Sequence, residues 1–387
     1  MKIINTNKLT TVALCTALIL LISTPLAFAY PPDNAAVLYY KAALLYEVDD
    51  EMADMLADLQ KGKIELNDKI REFVKKNRLI INTVLDASEV KNCDWGMDFS
   101  QGFEMQMPPL GSLRKLARLA VADAKILAAD GDYEAAISHC MSLYKMARHV
   151  NERIYVNYLV GLAINGLTNG CITQIMAEMP QDMQSLTRLK NQLIEIDSIP
   201  FPVKPAILGE RQAALMFMTP EQLPGIVRTC VENEAVREKI LSFDSTMIDR
   251  SRQYFESYYA GVTTAFDMSY VEGYTALKDL EEKPEKDVKS NPEAILTGIL
   301  APATNRIFSL STRFKTHNNA IRVAIELYLI KAQTGKLPDE LPAGLPKDLF
   351  SGKDFEYEKT DDGFTLRCQG KDLDKDKIHQ YEFKVSN

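Results

Sequence analysis

Recognisable catalytic signatures are what this sequence lacks. It has no Gly-x-Ser-x-Gly elbow to present a nucleophile, no His-Glu-x-x-His pair and no phosphate-cradling Walker loop. The dinucleotide fingerprint Gly-x-Gly-x-x-Gly is also missing. Histidine is scarce, at four residues. His139 and His149 miss the i, i+4 spacing of a shared metal, His317 falls on an apolar stripe, and His379 lies in an acidic tail. No nucleophile stands at a recognisable spacing from a base. No Cys-x-x-Cys pair or zinc-type spacing occurs. An excess of basic residues is absent as well: the formal charge is −8, which argues against a general nucleic-acid binder.

What is present begins at the N-terminus. "MKIINTNK" carries Lys2 and Lys8, the apolar run Val12 to Ile22 follows, and Ala27-Phe28-Ala29 precedes Tyr30. A basic n-region, an h-region of secretory length and a small-x-small site predict a signal peptide over 1–29, cleaved after Ala29. The run is short for a membrane span. An exported, acidic protein follows, periplasmic or extracellular, touching a membrane only through this segment if it stays uncleaved. Cys15 lies inside the h-region. Among the other cysteines, Cys140 and Cys171 sit in apolar helical stretches and read as small hydrophobes. Cys93, in a loop, is the best placed to form a disulfide, and the pairing among Cys93, Cys140, Cys171, Cys230 and Cys368 stays open.

The mature chain reads as mainly α, with helices in series. Asn34 is suited to cap a first helix with Leu38, Ala42 and Leu45 on one face, and Met52, Met55, Leu56 and Leu59 repeat the stripe. Ser112 is suited to cap a later helix, and Gly131 separates it from another opening at Tyr133. Ala124, Gly131, Tyr133 and Ala136 fall near the small, turn, aromatic and Ala positions of a tetratricopeptide unit. Gly166 and Gly170 have the small-xxx-small spacing of closely packed helices, and Asn157, Asn165 and Asn169 argue for a buried rather than membrane-spanning helix. "SIPFPVKP" breaks the pattern at 198–205, and "LEEKPEKDVKSNPE" at 280–293 reads as a charged linker. A long helix is predicted from Thr304 to Gln333, with Ile307, Leu310, Phe314, His317, Ile321, Ala324 and Tyr328 on one stripe. These breaks divide the chain into an N-terminal helical domain over 30–197, a second helical region over 198–336 and a tail over 337–387.

The loop 92–112 interrupts the first block. It holds the sole tryptophan, Trp95, with Asp98, Phe99 and Phe103. A loop this long and this aromatic packs on the helices beneath it or forms the lip of a binding groove. In the tail the period changes to two at "FEYEK", "GFTLRC" and "YEFKV", with Asp361-Asp362-Gly363 as a turn, predicting a small antiparallel β-hairpin cap. Asp372, Asp374 and Asp376 alternate as hard-cation ligands do, making calcium the one candidate cofactor. An EF-hand frame fails: from Asp372, Lys377 falls where Gly is needed and Phe383 where Glu is needed.

Two stretches carry family resemblances. "TGKLPDEL", "LPKDLFSGKDFEY" and "GFTLRCQGKD" resemble the C-terminal segment of the major pseudopilins of type II secretion. Pro346, Asp348, Phe350, Gly352, Tyr357, Gly363, Phe364, Gly370 and Asp372 fill matching places. Leu349 departs from the family's second proline, and Leu373 and Lys375 replace its glycines. The resemblance implies calcium binding near Asp372. Asn7-Lys8-Leu9-Thr10 stands where a prepilin processing site belongs, so the chain is not itself a pilin. "NAAVLYYKA", "NCDWGMDFSQGFEMQMPPLGSLRKLARL" and "ADGDYEAAISHCMSLYKMARHV" resemble exported helical proteins of unknown function typical of planctomycetes and their relatives. The combined expectation is antiparallel helix pairs with a long C-terminal helix and a hairpin cap. Its functional counterpart is a non-enzymatic envelope scaffold binding a protein or peptide through helical grooves. The rival readings are a hydrolase of an envelope or polymeric substrate, and a calcium-stabilised accessory of a secretion apparatus.

Overall fold

The structure, a computed structural model, describes residues 33–99, 101 and 105–385; the expected signal peptide and Phe103 lie outside them. Helix α1 (Ala35–Leu45) starts at Asn34, whose side-chain oxygen accepts the Ala36 amide at 3.1 Å. Its buried side is Ala35, Ala36, Tyr39 and Ala42, while Leu45, expected on the inner stripe, is 51% exposed. The Tyr39 ring, stacked on Trp95, sets that rotation. Helix α2 (Asp50–Gln60), capped by Asp49, buries Met52, Leu56 and Leu59. Helices α3 (Asp68–Lys76) and α4 (Arg78–Glu89) follow.

Helices α5 (Leu110–Ala129) and α6 (Tyr133–Val150) are joined through Gly131, whose φ of 85° suits glycine. Ser112 does not cap α5; it lies in the first turn, because the chain turns helical directly after Pro109, whose ring restricts φ. Helix α7 (Tyr155–Glu178) is the apolar centre, packed against α5 and α6. It alone among the described residues is long and apolar enough to cross a membrane, and most of it is buried in the protein. The close approach on α7 occurs at Gly161, where a Cβ would stand 2.8 Å from the Ala147 carbonyl oxygen. At Gly166 and Gly170 a Cβ would meet nothing, so their spacing reflects no tight crossing.

Helix α8 (Met183–Ser198) ends at the proline break, and α9 (Lys204–Phe217), α10 (Leu223–Cys230), α11 (Glu234–Leu241) and α12 (Ser245–Ala265) follow. The expected linker from 280 is helical to Asp287: α13 (Tyr270–Asp287) runs through Pro284. Buried Leu277 and Pro284 keep that end against the core. Glu281 also turns back to accept the Asn305 amide at 2.7 Å, fixing the start of the long helix. After α14 (Ala294–Leu300), helix α15 (Thr304–Thr334) extends for roughly 46 Å and stops at Gly335, in the left-handed conformation.

The expected hairpin is extended by a third strand. Strands β1 (Glu356–Thr360), β2 (Gly363–Asp372) and β3 (Lys377–Lys384) form an antiparallel sheet in sequence order. Phe364, Leu366 and Phe383 face inward. Tyr328 of α15 donates to the Lys384 carbonyl at 2.6 Å, and Gln181 donates to the same oxygen at 2.9 Å. The buried apolar side chains join into one continuous core from Ala35 to Phe383.

Candidate binding cleft

A cleft of about 1220 Å³ opens between α7, α9 and α15. Leu159, Leu162, Ala163 and Gly166 form its α7 wall at helical spacing. Ile307, Leu310 and Phe314 of α15 form the facing wall, and Ala213 and Phe217 of α9 the side. Arg313 and His317 of α15 meet His379 and Tyr381 of β3 at the cleft. Met105, Met107, Arg114 and Arg306 also line it.

Few polar groups reach this space. Glu210 accepts the Tyr155 amide at 3.1 Å, taking a free donor at the positive start of α7. Burial raises its carboxyl pKa, and that hydrogen bond opposes the shift. His317 stacks on Tyr381, with ring centroids 4.8 Å apart. Burial, and then neighbouring His379, lower its pKa to about 4, so the ring is neutral at neutral pH. Asn169 is fully buried; its side-chain oxygen accepts from Tyr144 at 2.6 Å, while its amide nitrogen has no protein partner. The Tyr155 and Tyr381 hydroxyls are also without protein partners. Arg313 is neutralised by Asp372, but Arg114 and Arg306 form no ion pair among the described residues.

The residues expected at the lip are distributed differently. Trp95 is buried over α1 and the end of α6, its indole N–H donating to the His149 carbonyl at 2.7 Å. The aromatic body buries most cheaply where its one polar atom finds an acceptor, which is why Trp95 turns inward. Asp98 is exposed and accepts from Gln101, and Phe99 is half-buried; neither lines the cleft. The far end of the same loop does line it, through Met105 and Met107.

The three tail aspartates do not converge. Asp372 is fully buried, accepting from Arg313 at 2.6 and 2.8 Å and lying 2.8 Å from His379 Nε2. Asp374 shares Arg313 at 3.3 Å, whereas exposed Asp376 pairs with Lys371. Asp372 and Asp374 thus meet the Arg313 guanidinium, and Asp376 stands apart from them. Among the described residues no group of three or more His, Cys, Asp or Glu is arranged to hold a metal ion. The other residues behind the tail resemblance have structural work. The Asp348 carboxylate accepts the Phe350 and Gly370 amides, both at 2.9 Å. A Cβ on Gly370 would come within 2.4 Å of the Phe350 backbone. Nor does Cys93 pair: the described cysteines are all free thiols.

Sequence reasoning missed another buried carboxylate. Asp123 of α5 receives Arg78 at 2.5 and 2.7 Å and lies 2.9 Å from His139 Nε2. An aspartate inside an apolar helix was its only signal. The cleft residues were visible as stripes on α7 and α15, indistinguishable there from core. No protein-family model matches the chain, and no curated protein or solved structure does either.

Proposed function

We propose that the protein binds, without transforming, an amphipathic ligand whose apolar body lies between α7 and α15. One observation carries this reading: a cleft of about 1220 Å³ with apolar walls and a few polar groups, the pattern of a ligand site. Each methylene buried there contributes about 0.8 kcal/mol. Among the described lining residues there is no Ser, Thr, Cys or Lys to serve as a hydroxyl, thiol or amine nucleophile. The hydrolase reading needs converging carboxylates, and Glu210 is the sole carboxylate of that lining.

The peptide partner expected from sequence is a poorer match. Helical walls have satisfied their own backbone groups, and β3 contributes side chains from one face rather than its hydrogen-bonding edge. An extended peptide would bring amides and carbonyls into this space with few partners, at about 1–3 kcal/mol each. Export, on the strength of the N-terminal segment, places the activity in the cell envelope or outside it.

Filling the cleft tests the proposal. Gly166 lines the cleft and a Cβ built there would meet nothing within 4 Å, so Gly166→Leu is expected to project into the cleft. Wild-type protein should enhance the fluorescence of the apolar dye N-phenylnaphthylamine saturably at one site. Gly166→Leu should weaken that binding at least tenfold without lowering the melting temperature. Equal binding by both proteins overturns the proposal.

A further inference from the structure

The cleft carries a charge signature opposite to that of the whole chain. The protein is acidic, at −8, yet among the described residues three arginines and one carboxylate line this space. Arg313 is committed to Asp372 and Asp374, and Arg114 and Arg306 form no ion pair among the described residues. Arg114 sits in the N-terminal segment of α5, where the backbone dipoles add positive potential, whereas at the start of α15, beside Arg306, the Glu281 carboxylate already accepts the Asn305 amide. No side chain caps the start of α5. Independently, the fully buried Asn169 is among the residues lining the same space, and its amide nitrogen has no protein partner. A buried N–H donor without an acceptor is costly unless a ligand supplies one.

Resting on the binding reading above, we infer that the ligand is a long-chain carboxylate, its acyl chain along the α7–α15 walls and its anionic end answered by Arg114 and Arg306. An acyl chain suits walls of Leu, Ile, Ala and Phe because it has no backbone polar groups to satisfy. A carboxylate suits guanidinium donors, which form charge-assisted hydrogen bonds to it. A neutral lipid would leave both arginines idle.

Displacement of the bound dye by palmitate and by hexadecanol, of equal chain length, tests this. Palmitate should compete roughly tenfold better than hexadecanol at low salt. In Arg114→Gln and Arg306→Gln that preference should shrink several-fold, and in the double variant vanish. Both arginines are exposed, so the variants should fold, which dye affinity and melting temperature verify. Equal competition by palmitate and hexadecanol in wild type overturns the carboxylate inference while leaving the cleft reading intact. So does tighter competition by an acidic amphipathic helical peptide than by palmitate. Failure of the dye itself to bind overturns both.

Discussion

Asp372 illustrates how single residues resist reading in isolation. In sequence it is the first of three alternating aspartates; in the fold it is a buried anion serving Arg313, His379 and the Tyr270 hydroxyl. Burial by itself would raise its carboxyl pKa, but the bonds from His379 and Arg313 outweigh that and hold it below the usual range. A carboxyl depressed on folding stabilises the fold above its unfolded value, about 3.9, and that contribution is lost as pH falls through the folded value. Asp372→Asn should therefore cost about 2–3 kcal/mol at neutral pH. Its deficit against wild type should shrink from about pH 4 downward. Denaturant titrations across that window check it, and a deficit constant with pH would refute the assignment. Alternation along the chain could not reveal this, because the cation that meets Asp372 is 59 positions away.

Elements were more legible. Helical spacing, Asn34, Gly335 and the period-two tail located the first helix, the long α15 and the sheet. The errors have local causes. Pro284 ends nothing because buried neighbours hold its helix together, and Leu45 faces water because Tyr39 sets the rotation of α1. Glycines show the same dependence on surroundings. Gly166→Ala should stabilise the protein by about 0.5–1 kcal/mol, since alanine is the better helix former and its Cβ meets nothing. Gly209→Ala should destabilise it by more than that, because its Cβ would fall 1.7 Å from the Arg153 carbonyl oxygen. Paired thermal melts of the two variants decide the matter; equal effects of one sign would show that packing is not what separates them.

At the scale of the whole molecule, the core runs without interruption from α1 to β3, and Tyr328 and Gln181 hold the sheet at Lys384. Such a chain should unfold as one unit. Trp95, the sole tryptophan, reports on the N-terminal layer, whereas far-ultraviolet circular dichroism reports on every helix. Their denaturation midpoints should coincide. A separate, earlier Trp95 transition would show that the layer around α1 melts independently. The sequence by itself determined the helical class, the long C-terminal helix, the strand-forming tail and the acidic charge, because periodicity, caps and composition act over a few neighbouring residues. Tertiary packing alone leaves Leu310, Phe314 and His317 half-buried at a cleft while Ile321, Ala324 and Tyr328 on the same stripe are core. The two halves are chemically alike. What separates them is whether another element comes to cover them, and that depends on the path of chain far off in sequence.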